Sequence, residues 1–345
     1  MSERILATLR LPLVRLAVRA AVLTVFFVYL AALYRGTPWL SDPTTVGSDV
    51  SNYYAAGQRL NDGHDLYSLQ PGDLPVPVQP PYYTAPLVSP PPVAVAWRPL
   101  ALLPRDVAIK AWWAIAALAA VATTVWFTGL GSLVVTLAVL ALSTELAITA
   151  LSANINAFLL AGFAGIWLAR RSGRPALVGS LIAIAVAVKI LPILLVLWLL
   201  VGRRWTELAW FAGAAAVIGV VSLLGAGFGA HVDWLEIARQ TSTQGIAPAS
   251  LPGVLQALGA PSAVIGLVIP LTLVVGAAVI VVLRDRPGPA FAAAIVTMVL
   301  ANPAVHDGSY AMLLPALLPL ARPIVVAARS AAQSAQPAQS GVATA

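Results

Sequence analysis

The sequence predicts an all-α, polytopic membrane protein, and three observations carry that expectation. Of the 345 residues, 60% are hydrophobic and only 10% charged, against about 25% charged in a soluble domain. That much apolar surface cannot be hidden in a soluble core, and a bilayer is its natural solvent. The apolar residues also fall in runs long enough for membrane helices, parted by short polar or proline-bearing breaks. Finally, the arginines gather at alternate breaks, the pattern left by the preference of basic residues for the cytoplasmic side.

The first run, 16–35, follows basic residues as a signal peptide would. It is long, however, and no small-residue cleavage site precedes the next polar stretch, so a retained helix is expected. A polar loop, 36–107, comes next. Within it, 50–60 is compatible with a helix that Asp49 would cap, with Tyr53, Tyr54 and Leu60 on a membrane-facing side. Residues 68–92 are proline-rich and read as irregular packed loop, and 92–103 as a short helix lying in the interface. Further membrane helices are expected at 108–128, 131–150, 155–169, 207–226, 263–283, 289–302 and 309–327, with a second outer loop at 227–262.

Segment 175–201 needs separate treatment. Arg170, Arg171 and Arg174 precede it, and Arg203 and Arg204 follow it. A single crossing would put one cluster outside, whereas two short helices meeting near Lys189 and Pro192 keep both inside. Helices of about 13 residues reach roughly 20 Å, short of the roughly 30 Å hydrocarbon core. Such a re-entrant element is tolerated only where it lines a cavity. The count becomes about ten membrane segments with both termini cytoplasmic. The inner side then holds 13 basic and 3 acidic residues, and the remainder 7 basic and 10 acidic. Residues 1–329 form one membrane domain on this reading, and the Ala/Ser/Gln/Pro tail, 330–345, is expected to be disordered.

Composition excludes several function classes. The absence of cysteine removes disulfides, thiolate metal sites and cysteine nucleophiles. The three histidines, His64, His231 and His306, are too scattered for a local metal motif, and no metal or other cofactor is expected. The net charge of +7 follows the topology, so it gives no reason to expect a nucleic-acid partner. There is no P-loop, dinucleotide glycine motif, His-Glu-x-x-His helix or nucleophile elbow.

Four positions or pairs could carry chemistry. Asp49 reads either as a general base at the membrane surface or as a helix cap. Lys189 sits in Ala-Val-Ala-Val-Lys-Ile-Leu-Pro, where a buried lysine costs about 2.5–3.5 kcal/mol and calls for a cavity and an anionic partner, unless it snorkels to the interface. Asn154 and Asn156 open a helix on the outer side, as substrate contacts or as caps. His306 and Asp307 form an outer turn that could bind phosphate or assist proton transfer, or be merely solvated. Trp and Tyr residues are read mainly as interfacial anchors.

Together these features resemble the family-87 glycosyltransferases of the GT-C superfold, which are polytopic, polyprenyl-phosphate-sugar-dependent enzymes. The family pattern of an early-loop aspartate followed by Tyr-x-x-Ala/Gly-x-x-Leu-x-x-Gly-x-x-Leu-Tyr appears as Asp49, Tyr53 or Tyr54, Ala56-Gly57, Leu60, Gly63 and Leu66-Tyr67. An aromatic-Pro segment (Tyr83 to Leu87), a Pro-Leu-Ala-Leu-Leu-Pro stretch (Pro99 to Pro104), Lys-x-x-Pro (Lys189 to Pro192) and Arg203-Arg204-Trp205 follow in order. The chain has Ala153-Asn154-Ile155-Asn156 where the family often has Gly-Gln-x-Asn. Near the end, His306 takes the place of a tryptophan and Gly308 that of a histidine.

The resemblance implies an inverting hexosyltransferase, with mannose the first choice of sugar. It would move the sugar from a polyprenyl phosphate to a glycolipid or lipoglycan hydroxyl at the outer face of the plasma membrane. On that reading Asp49 is the catalytic base, Lys189 and His306 hold the donor phosphate, and Tyr53, Tyr83, Asn154, Asn156 and Asp307 line the substrate site. Two other readings fit parts of the pattern: a lipid-carrier transporter or flippase, since broken helices with a midplane lysine also mark transporters, and a non-catalytic accessory subunit that keeps the fold.

The charge distribution makes a prediction of its own. In intact cells, Gln70→Cys should label with an impermeant thiol reagent and Ser340→Cys should be protected. The reverse pattern would invert the topology.

Overall fold

The computed structural model describes residues 12–42, 44, 48–68, 87–244, 246–303, 305 and 308–321. Among them the ordered elements are helices: α1 (Pro12–Gly36), α2 (Pro38–Ser41), α3 (Asp49–Asn61), α4 (Pro91–Trp97), α5 (Arg105–Gly129), α6 (Leu133–Ala141), α7 (Ser143–Leu151), α8 (Asn156–Arg171), α9 (Pro175–Val188), α10 (Ile193–Val201), α11 (Trp205–Gln244), α12 (Leu251–Ala257), α13 (Ser262–Val282) and α14 (Pro287–Leu300). Two 3₁₀ stretches, Leu100–Leu102 and Ser309–Leu320, complete the set. Prolines 315 and 319 lie inside the second of these.

Helical structure stands at each predicted membrane position. By length and composition, however, only α1, α5, α11 and α13 can cross a bilayer alone, with α6 and α7 a possible fifth as a pair bent by 64°. These helices present bare apolar side chains: Leu224 is 83% exposed, Val282 80% and Leu118 69%. Apolar surface of that extent is stable only against lipid or another apolar partner. The buried core lies among α7, α8, α9, α10, α14 and the Ser309–Leu320 stretch, around Phe291, Leu160, Ile166 and Leu195.

Several details differ from the sequence expectation. Residues beyond 226 are not loop: the helix resumes after a single break at Gly227 (φ 80°, ψ 163°) and continues to Gln244. The break is held by His231, whose Nδ1 lies 2.8 Å from the Gly227 carbonyl and whose Nε2 lies 3.0 Å from the Ser222 hydroxyl. The carbonyl can only accept, so Nδ1 donates to it, and the Ser222 hydroxyl pairs with Nε2. Tyr53 and Tyr54 do not face a membrane. Both are buried, because α3 packs on α4, where Gly57 lets the Trp97 backbone approach so closely that a Cβ would lie 2.8 Å from its carbonyl. Asn61 exchanges two bonds with Arg98, and Arg98 reaches the Gly225 carbonyl at 3.1 Å. The loop helices are thereby tied to α11. The tail and most of the proline-rich loop (69–86) lie outside the described residues.

The expectation of a folded-back element at 175–201 agrees with the geometry. Helix α9 has 14 residues and α10 has 9, separated at Lys189–Pro192. One straight segment of 27 residues would part its flanking arginines by about 40 Å. Instead Arg170, Arg171, Arg174 and Arg204 line one cavity. Helix α9 runs beside α11, and Gly179 faces the Glu207 carbonyl so closely that no side chain fits. Gly179→Val should therefore cost at least the ~1–3 kcal/mol typical of overpacking, read as a lowered Tm in detergent. Gly213→Ala, at a position with open space, should leave Tm unchanged or raised.

Candidate functional site

Helix α8 begins and helix α9 ends at the same end of the bundle, and that end holds the polar side chains. Helix α3 delivers Asp49 to it. Ser48 is the N-cap, its Oγ accepting from the Ser51 N–H at 3.3 Å. This corrects the expectation that Asp49 caps the helix. Asp49 is the first helical residue, and its carboxylate points elsewhere: it is exposed and accepts a hydrogen bond from Asn154 Nδ2.

Asn154 sits in the tight turn between α7 and α8. Its Oδ1 accepts from the Asn156 N–H at 2.8 Å. A carboxylate can only accept and a backbone N–H can only donate, so both ends of the amide are fixed. Asn154 thus satisfies the first N–H of α8, next to the Ile155 N-cap, and holds Asp49 at once. Asn156 is buried, and its Oδ1 accepts from Lys189 Nζ at 2.8 Å. Lys189 is delivered by the end of α9, where the helix breaks in extended conformation (φ −142°, ψ 136°). A continuous polar chain therefore runs from Asp49 through Asn154 and Asn156 to Lys189.

The turn carrying the two asparagines is built from residues that sequence reasoning passed over. Ala153 is fully buried with φ 54°, a left-handed conformation that costs a residue with a Cβ about 1–2 kcal/mol. The Trp112 indole donates to the Ala153 carbonyl at 3.0 Å, and the Trp113 indole to the Leu151 carbonyl at 2.8 Å. These two tryptophans brace the turn through their indole N–H groups, a role that the reading of Trp as mainly interfacial anchors left unassigned. The signal was present: two adjacent indoles in one apolar helix both need acceptors. Trp112 also packs between Trp97 and Phe158 in tilted ring contacts, at centroid separations of 4.8 Å each.

Tyr53 lies beneath Asp49, buried and engaged with the Ser89 side chain and the Ile155 backbone. Burial, reinforced by the Asp49 charge, pushes its phenol well above the usual range. It stays neutral at any ordinary pH, so it can hydrogen-bond but cannot act as a base. Tyr83, His306 and Asp307 lie outside the described residues. Their neighbour Gly308 (φ 88°) is fixed: its N–H donates to Glu145 Oε2 at 2.6 Å and its carbonyl accepts from Thr149 at 2.7 Å. No group of three or more metal-binding side chains occurs among the described residues.

What the arrangement offers chemically is a solvent-reachable carboxylate and a half-buried ammonium, held in register by two amides. The Asn156–Lys189 contact is open to test. Asn156→Leu should lower stability by about 1–3 kcal/mol, because it strands the ammonium. Adding Lys189→Met should recover part of that loss. A double variant no more stable than Asn156→Leu, by unfolding in detergent, would show that the two side chains are not coupled.

No curated protein and no solved structure shows a match to the chain. The family model of glycosyltransferase family 87 matches residues 88–305. Asn154, Asn156 and Lys189 fall inside the matched stretch, while Asp49 precedes it. The match covers well over half of the sequence, and with the helical, membrane-suited fold it assigns the chain to glycosyltransferase family 87.

Proposed function

We propose that this glycosyltransferase moves a hexose, with mannose the first choice, from a polyprenyl phosphate to a glycolipid or lipoglycan hydroxyl at the outer face of the plasma membrane. The observation that carries the reading is the polar chain joining Asp49 to Lys189. It sets a base and a cation at one site, as transfer from a phosphate leaving group requires. The Asp49 carboxylate accepts the proton of the acceptor hydroxyl as that oxygen bonds to the anomeric carbon. The bond from the anomeric carbon to the phosphate oxygen breaks on the opposite face, and the electron pair leaves on polyprenyl phosphate. Attack from the far side inverts the configuration. The leaving group is already a stable anion and needs charge stabilisation more than a proton. Lys189 supplies it, and in a site shielded from water such a charge counts for more.

In this scheme Asn154 and Asn156 serve first to orient the two charged groups, and Tyr53 supports the helix that carries the base. His306 and Asp307 remain candidates for the donor phosphate and the acceptor. The donor carries its own activation, so neither a nucleotide nor a metal is needed for the step as written.

Asp49→Asn keeps the size of the side chain and its acceptor for Asn154 but removes the base. Turnover should fall by about 10²–10⁴, with folding and donor binding nearly intact. The measurement is transfer of mass-labelled mannose from polyprenyl-phosphate mannose to extracted glycolipids by purified protein. A rate within about threefold of the parent would end the claim that Asp49 is the base. Lys189→Met should weaken donor use most, seen as a raised donor KM.

A further inference from the structure

The other end of α8 and α9 carries a second concentration of polar groups that the transfer scheme does not use. Helix α8 runs from Asn156 to Arg171 and α9 from Pro175 to Val188. At 1.5 Å per residue this end lies about 20 Å from Asn156 and Lys189. A cavity opens there, lined by Arg170, Arg171, Arg174, Arg204, Thr206 and Glu207. Its volume is about 490 Å³, ample for a phosphodiester headgroup.

We propose that this cavity binds the phosphate of an anionic phospholipid. Four arginines face it with a single glutamate, and among the described residues none of the four forms an ion pair with a carboxylate. They are held in place without one. The Arg170 guanidinium lies over the rings of Trp198 and Trp167, at 5.0 and 5.8 Å from their centroids. Its Nε is buried with no hydrogen-bond partner among the described residues. Two helix-ending turns bring the arginines together. Gly173 (φ 64°) lets the Arg174 N–H return to the Ala169 carbonyl at 2.9 Å, and Arg203 (φ 52°) lets the Arg204 N–H return to the Leu199 carbonyl at 2.9 Å.

Each turn leads directly into a new helix, so the N-termini of α9 and α11 also face the cavity. Arg174, at the N-cap of α9, makes no side-chain capping bond. The first N–H groups of these helices lack intrahelical partners and favour an anion. A preference of arginine for one membrane side would be met by cations spread around the helix ends. It does not require unpaired cations converging on a concave site with two helix N-termini. The placement beside bare apolar helices suits a headgroup whose chains lie against the protein, and basic pockets between membrane helices are suited to such headgroups.

The test uses the purified full chain in zwitterionic detergent, titrated with phosphatidylglycerol, phosphatidylcholine or inorganic phosphate. Tm and retained lipid, by native mass spectrometry, are the readouts. Phosphatidylglycerol should raise Tm and stay bound, while phosphatidylcholine should do neither. Arg170→Gln with Arg204→Gln should weaken apparent affinity by about fivefold for each arginine lost. Glu207→Gln keeps every arginine and removes the one acid, so it should tighten binding by about fivefold; it serves even if the double variant folds poorly. Equal protection of parent and double variant, no protection of the parent, or an unchanged affinity in Glu207→Gln would each overturn the site. Inorganic phosphate protecting as well as phosphatidylglycerol would overturn the lipid as its occupant.

Discussion

A lysine ammonium within an apolar hairpin needs an acceptor, and much of the site's construction follows from that need. Lys189 is half-buried among apolar residues, and leaving its ammonium without an acceptor there would cost about 1–3 kcal/mol. The Asn156 side chain meets the requirement, and Asn156 can stand there only because α8 starts at that level. The start of α8 is fixed in turn by Asn154 and by a left-handed Ala153 that two tryptophan indoles hold in place. Asn154 then has one amide group left, and it fixes the Asp49 carboxylate. A local electrostatic demand is thus passed through a turn to a helix in a different part of the chain.

The same hairpin sets the arrangement of the two ends of the bundle. Because α9 and α10 fold back, the arginines before and after them meet, while the break between them faces the asparagines. One end gathers unpaired guanidinium groups and helix N-termini, and the other gathers a carboxylate, amides and an ammonium. The close fit of Gly179 against the start of α11 lets the hairpin lie flat on its neighbour. The loop helices α3 and α4 close over the site end through the contact at Gly57 and the Asn61–Arg98 pair.

Strain is concentrated where the polar chain turns. Ala153 is one of two non-glycine residues with positive φ among the described residues, and the other is Arg203. They lie at opposite ends of the bundle, each in a turn that aims a polar residue: Asn154 in one case, Arg204 in the other. A left-handed alanine, buried and braced by Trp112, is an arrangement that a glycine would adopt without the steric cost. Here the surrounding packing imposes the turn instead.

Much was legible in the sequence because the signals are local or additive. Apolar run length predicts helices, arginine placement predicts a folded-back segment at 175–201, and the cost of a buried lysine marks Lys189 before any partner is known. The helix at 50–60 was likewise readable from its composition. The sequence did not reveal that Ser48 rather than Asp49 caps that helix, since either residue type can accept the same N–H and only backbone geometry chooses between them. Nor did it reveal that the helix after Gly227 resumes, because glycine ends or bends a helix according to what packs beside it. The partner of Lys189, the grip of Asn154 on Asp49 and the bracing by Trp112 and Trp113 join residues 33 to 105 positions apart. Contacts at that separation depend on which helices lie side by side, and this is decided by the packing of the whole bundle rather than by any one segment.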